Sequence, residues 1–367
     1  MVELAGDYEW RGEGEGAEVV IYAPGEELAE AAFGRVAPIT RLSGVESPIH
    51  AAASPERFGW VAASASHAAP DLISIPERGL LLAADVPAED LGMPPRGIED
   101  LVLRALGEVG YRLPPLSEAG VRRACEEGAR AAAEDGLIDE EDLSFLAPAA
   151  GDPDAVGRRA IAAGPSDPED RIGLRAAVIA EVLDAEGAET LGLERGMLAL
   201  VVMAGAGDLG RLALSAHRER IFGRIRAGTD FGAQDDLPAA PAETEEAADL
   251  VAAVAAASNF ADGRAARAIY ALRRVLRDVA GGLRVRAAWR VGGIETFGSA
   301  LVHRRDLAAV GEGEVLVSGG SVTAGTGKMS RSAPPFGAPG GSDGEHPWEE
   351  AGVLERWADL DPTEGGA

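Results

Sequence analysis

A chain of 367 residues with 46% apolar content can bury a large core and lies far from the composition of a disordered protein. Its formal charge of −27 is extreme, and Cys125 is its only cysteine, which excludes an intrachain disulfide and a cysteine-based metal cluster. No apolar run approaches the roughly 20 residues of a membrane-spanning helix.

Lys328 is the only lysine, so the basic side chains are almost all arginine. A dense acidic surface with alanine and glycine in excess keeps a protein hydrated in concentrated salt; a halophilic protein is expected. The N-terminus, Met-Val-Glu-Leu-Ala-Gly-Asp, lacks the basic and apolar regions of a signal peptide, so a cytoplasmic location is expected.

In chain order, residues 1–17 read as a flexible N-terminus in which Gly12, Gly14 and Gly16 alternate with glutamates as a solvated turn. Glu18–Tyr22 is a strand, and a short helix follows near 25–34. The stretch 40–85, rich in small apolar residues with turns at Gly59, Pro70 and Pro76, reads as short strands. A helix runs from Ser117, its cap, to Asp135 before Gly136, with Cys125 as a small buried apolar residue on it. Another helix starts near Asp152, whose side chain precedes Pro153 at the first helical position.

Residues 176–183 and 197–204 are apolar enough for buried strands. Helices follow at about 208–226 and 243–278, the second interrupted by Asn259 and Gly263. Strands return at 283–290, 297–303 and 314–318. From Ala324, glycine, proline and acidic residues dominate, and 324–367 reads as a disordered tail with a short helix near 347–358. The order of elements predicts a mixed α/β fold over 18–323.

Three motifs bear on function. Gly205-Ala206-Gly207-Asp208-Leu209-Gly210 follows a strand and opens a helix, as a dinucleotide-binding fingerprint does, and Asp230 stands near the distance of a ribose-binding acid. Against this, no strand precedes Asp230, and Asp208 would set negative charge beside the phosphate. Gly325-Thr326-Gly327-Lys328 fails as a P-loop, because Val322 and Met329 occupy positions that need Gly and Ser or Thr. The third is a basic stripe: ten arginines between Arg264 and Arg305 stand against Asp278 and Glu295, a local charge of +8. Such a stripe is the footprint of phosphate binding, or else pairs with carboxylates elsewhere on the surface. None of the five histidines has a metal-ligand spacing to a second donor.

The series of segments resembles the RtcB-type tRNA-splicing RNA ligases. It comprises Val20-Ile-Tyr-Ala23, Gly34-Arg-Val-Ala-Pro-Ile-Thr-Arg-Leu-Ser-Gly44, Glu134-Asp-Gly136, Glu140-Glu-Asp-Leu143 and Asp152-Pro-Asp-Ala-Val-Gly-Arg-Arg-Ala160. It continues through Gly192–Gly210, which is the tightest match, Ala257-Ser-Asn-Phe-Ala261, Val302-His-Arg-Arg305 and Glu314-Val-Leu-Val-Ser-Gly-Gly-Ser321. The family joins an RNA 3′-phosphate to a 5′-hydroxyl with GTP and manganese.

The resemblance implies a single RtcB-like domain, shortened at its C-terminus, whose ligand positions have changed. Arg78 and its neighbours stand where the family has Asp-x-x-Cys-Gly. Arg171, Ile172 and Arg175 occupy its Asn-His-x-x-Glu, Met203 its manganese-binding His, and Trp289 and Arg290 its Ala-His-Asn. The segment holding the guanylylated His has no counterpart. The resemblance therefore implies a pseudoenzyme that needs neither manganese nor GTP and binds RNA or the authentic ligase. Its phosphate or RNA contacts would be Arg273, Arg274, His303, Arg304, Arg305, Ser318, Gly319, Gly320 and Ser321, with Arg78, Arg171, Arg175 and Arg290 holding a phosphate in the former pocket. An active RNA repair ligase with relocated ligands, and a nucleotide-binding oxidoreductase using Gly205–Gly210, are the alternatives.

Overall fold

The computed structural model describes residues 2–6, 9–22, 26–42, 44–45, 49–53, 60–63, 67–73, 75, 78–108, 113–143, 146, 151–164, 173–178, 194, 196–228, 232–234, 237–291, 294–297, 300–304, 308–310, 314–316, 321–325 and 331–332. Among them the fold is mixed α and β.

Strands β1 (Glu3–Gly6), β2 (Glu9–Glu13) and β3 (Glu18–Tyr22) precede helix α1 (Glu26–Val36) and a 3-10 turn at Ala37–Arg41. With β4 (Ile49–Ala53) and β5 (Trp60–Ala63) they form a sheet ordered β1-β2-β3-β4-β5, in which only β3 and β4 pair in parallel. The expected flexible N-terminus is thus largely strand. Gly14 and Gly16 do form the expected turn, closed by the Gly14 N–H on the Ala17 carbonyl at 3.0 Å with Glu15 and Gly16 exposed, whereas Gly12 lies in β2, and all three are also close approaches. A Cβ on Gly12 would lie 2.6 Å from the Phe33 ring, one on Gly14 would lie 2.3 Å from the Thr40 hydroxyl, and one on Gly16 would lie 2.4 Å from the Thr40 carbonyl. Val19, Ile21, Ala29, Ala32, Ile39 and Ile49 bury one face of this sheet against α1.

Next come β6 (His67–Ala68), β7 (Arg78–Pro87), α2 (Pro95–Gly107), α3 (Glu118–Glu127) and α4 (Ala129–Glu134). Ser117 caps α3 as expected, accepting from the Gly120 N–H at 3.1 Å. The expected single helix 117–135 is broken at Gly128, whose φ of +60° only glycine adopts without strain. Short helices α5 (Glu140–Leu143), α6 (Pro153–Val156) and α7 (Arg158–Ala163) follow, and Asp152 caps α6 through the Asp154 N–H at 2.8 Å.

Strands β8 (Gly173–Val178) and β9 (Met197–Ala204) lead into α8 (Gly207–Arg226), close to expectation. After β10 (Gly232–Gln234) and β11 (Leu237–Pro241), Thr244 caps the 35-residue α9 (Glu245–Val279), accepting from Ala247 N–H. β12 (Val285–Val291) completes a second sheet, ordered β12-β7-β9-β8 and antiparallel throughout. One face of it buries Leu80, Leu82, Leu174, Leu200 and Val202 against Ile269, Leu272, Val275 and Leu276 of α9 and Ile98 and Val102 of α2. The middle of α9 packs Ala256, Ala257 and Phe260 against Val121, Cys125 and Leu209.

β13 (Ile294–Phe297), β14 (Ala300–Arg304), β17 (Ser321–Gly325) and β18 (Arg331–Ser332) form a further sheet, while β15 (Ala308–Val310) pairs with β16 (Glu314–Leu316). β17 and β18 extend regular structure past the expected boundary at 323, and the tail from 333, including the helix expected near 347–358, lies outside the described residues.

Candidate functional site

Strand pairing brings the positions singled out by the resemblance to one end of the β12-β7-β9-β8 sheet. Met203, near the end of β9, pairs with Gly173 at the start of β8 and with Gly79 near the start of β7, and Gly79 pairs with Val291 at the end of β12. Arg78 pairs with Ala204, Arg175 with Val201, Arg290 with Leu80 and Trp289 with Leu81. Segments up to about 200 residues apart in sequence thus converge within four successive rows of backbone pairs. Arg171 and Ile172, immediately before Gly173, lie outside the described residues.

The chemistry of this row does not suit manganese. Met203 is 6% exposed and offers a thioether, and its neighbours Gly79 and Gly173 offer no side chain. Manganese takes oxygen and imidazole donors. Among the described residues, no three of His, Cys, Asp and Glu stand close enough together to hold a metal ion. The residues present do not fit the group that the resemblance implies, and no catalytic step is derived through it.

The loop after Met203 carries the glycine fingerprint, and its setting departs from a dinucleotide site. β9 pairs antiparallel with both neighbours, whereas the fingerprint belongs to a parallel β-α-β unit. Arg264 of α9 donates to the Gly205 carbonyl at 3.0 Å and lies over the Phe260 ring, 5.7 Å from its centroid. Asp208 in the first turn of α8 pairs with Arg211. Asp230 lies outside the described residues.

Beneath the loop, α9 carries polar residues that are fully buried: Ser258, Asn259 and Asp262 are each 0% exposed. Asn259 donates from Nδ2 to the Cys125 carbonyl at 2.9 Å and the Glu126 carbonyl at 3.2 Å, tying α9 to the last turn of α3. Residues expected to interrupt the helix therefore fasten it. Their signal was in the sequence: polar residues at i, i+1 and i+4 within an alanine run mark one buried polar face. Burial pushes the Cys125 thiol up to about 12, which keeps it protonated and unreactive at neutral pH.

The arginine stripe does not share one side. Arg264 turns to the β9–α8 loop, and Arg267 donates to the Pro114 carbonyl. Arg273 meets the 2% exposed Asp142 through two bonds of 2.5 and 3.0 Å and also donates to the Val285 carbonyl at 3.3 Å. Arg273, expected as a phosphate ligand, is a structural ion pair instead. Arg274 lies over the Tyr270 ring at 5.7 Å. The backbone of Arg304 pairs with Ser321 and that of His303 with Val322, so two of the other candidate segments are neighbours. Arg305, Ser318, Gly319 and Gly320 lie outside the described residues.

No protein-family model and no curated protein matches the chain. No described helix is long and apolar enough to cross a membrane.

Proposed function

We propose that the chain is a non-catalytic relative of the RtcB-type RNA ligases that binds RNA, or the authentic ligase, as a partner in RNA splicing or repair. The observation that carries this is the convergence of Gly173, Met203, Gly79 and Val291 on one row of the central sheet. The resemblance assigned these segments to one pocket, and their adjacency in the sheet is consistent with that reading. The residues at the meeting point supply a buried thioether where the family chemistry needs metal donors, which supports loss of catalysis with retention of the scaffold.

The reading is tested by incubating the protein with manganese and labelled GTP and measuring its intact mass. The expected spectrum is unmodified protein. A covalent GMP adduct would overturn the pseudoenzyme reading, and co-purification with neither RNA nor a ligase in native salt would remove the partner.

A further inference from the structure

The stripe that the sequence presents as one feature divides in the fold, and the division isolates a smaller patch. Arg264, Arg267 and Arg273 are each held by a protein acceptor. Beyond Arg273 the chain reverses: α9 ends at Val279, Gly281 and Gly282 take φ of +66° and +83°, and β12 begins at Val285. The bond from Arg273 to the Val285 carbonyl lays the end of α9 beside the start of β12. Arg277, one turn beyond Arg273 on the same helix face, therefore lies beside the turn into the strand.

On the strand side Leu283 and Val285 are buried in the core, so the alternation of extended chain sends Arg284 and Arg286 outward. Arg277 and Arg284 are exposed, and neither has an ion pair or hydrogen bond among the described residues. Asp278 is the only acidic residue between Arg274 and Arg290, in a chain of net charge −27. Arginine at the end of a helix is an ordinary complement to its dipole. That accounts for Arg277 but not for Arg284 and Arg286, which lie outside the helix.

We propose that the corner between α9 and β12, built on Arg277 and Arg284 and flanked by Arg274 and Arg286, is the surface that grips the phosphate backbone of single-stranded RNA. This rests on the RNA-binding form of the proposed function and localises it. Arginine suits the task because its planar fork meets two phosphate oxygens at once, and Arg274, lying over the Tyr270 ring, adds a guanidinium plane on which a base can stack. The acidic remainder of the surface repels RNA and confines it to the corner.

The experiment follows anisotropy of a labelled short oligouridylate titrated with full-length protein over a range of KCl around 0.1 M. Wild type, Arg277→Gln/Arg284→Gln and the control Arg158→Gln/Arg159→Gln are compared, the control altering two exposed arginines on α7. Each lost phosphate contact lowers the slope of log affinity against log salt by about 0.7 for a single strand. The corner variant is expected to lower it by about 1.4 with an unchanged melting temperature, and the control to leave it as in wild type. Equal losses in both variants, or none in the corner variant, would overturn the corner while leaving RNA binding in place. No binding by wild type would overturn both, and point to a protein partner.

Discussion

Gly79 faces Val202 so closely that a Cβ on the glycine would stand 1.7 Å from the Val202 carbonyl oxygen. Backbone, unlike the end of a side chain, cannot swing away, so the pairing of β7 with β9 at the candidate site admits glycine alone. Gly79→Ala is expected to destabilise the protein by about 3 kcal/mol or more, the upper range of overpacking effects. Gly34→Ala, on α1 where a Cβ meets nothing within 4 Å, should instead gain about 0.5–1 kcal/mol from helix propensity. Urea midpoints of the two variants check the contrast, and similar small shifts in both would refute the close approach.

The Arg273–Asp142 pair joins α9 to α5 with one partner almost wholly buried. Removing the guanidinium strands a buried carboxylate, so Arg273→Met should cost about 3 kcal/mol. The double variant Arg273→Met/Asp142→Leu should recover part of that loss, because no charge is left uncompensated. A double variant weaker than the single one would show that the pair stabilises by more than mutual compensation.

His217 is 4% exposed, with Nε2 bonded to the Ala155 carbonyl at 2.9 Å and Nδ1 without a hydrogen-bond partner among the described residues. Burial holds its pKa below 6.5, and the same cause lowers His67 despite the opposing charge of Glu243. The unfolded chain therefore binds more protons between the lowered pKa and 6.5. Stability contributed by the neutral rings is present above 6.5 and is lost as pH falls below it, by up to about 1.4 kcal/mol per pH unit for each ring. Melting curves of wild type and His217→Gln on either side of that pH isolate the effect. The variant should lose less stability on acidification, and parallel losses would exclude His217 as a source.

The fold should tighten in molar salt. The imbalance of 61 acidic against 34 basic side chains sets up long-range repulsion that a Debye length of about 3 Å at 1 M cancels and one of about 10 Å at 0.1 M does not. Short pairs such as Arg218–Asp71 lose little by comparison, since exposed pairs contribute about 0–1 kcal/mol each. The melting temperature is expected to rise with KCl, and to rise further in sulfate, which also strengthens apolar burial. A flat KCl dependence would remove the halophilic reading.

Where one apolar run met clear punctuation, the sequence read well: β9 occupies the expected 197–204, and α8 and α9 begin and end within two residues of expectation. It read poorly where a residue's meaning depended on a distant partner. Gly14 and Gly16 read correctly as a turn, but the strand position of Gly12 against Phe33 and the close approach of Thr40 to the other two depend on residues more than twenty positions away. The stripe of arginines looks continuous until Asp142 and the Gly205 carbonyl claim two of its members. The candidate site was legible as a set of segments, because motifs are local. Its row of pairing depends on contacts across more than a hundred residues, which periodicity does not carry.

The central sheet also sets an order of assembly. β7, at 78–87, has one neighbour from 197–204 and the other from 285–291, and its apolar face is covered by the second half of α9. During synthesis the strand must wait for more than a hundred residues before its first ladder can close, and for about two hundred before the second. Non-local pairing of this kind makes folding slow and leaves an unpaired edge exposed meanwhile. The early part of the chain can pass that interval productively, since β1 to β4 and α1 assemble most of a core from contiguous sequence, to which Leu237 and Ala239 of β11 are added later. A nascent chain stalled before β12 would therefore present a folded N-terminal layer beside a sticky apolar strand, the form most in need of a chaperone.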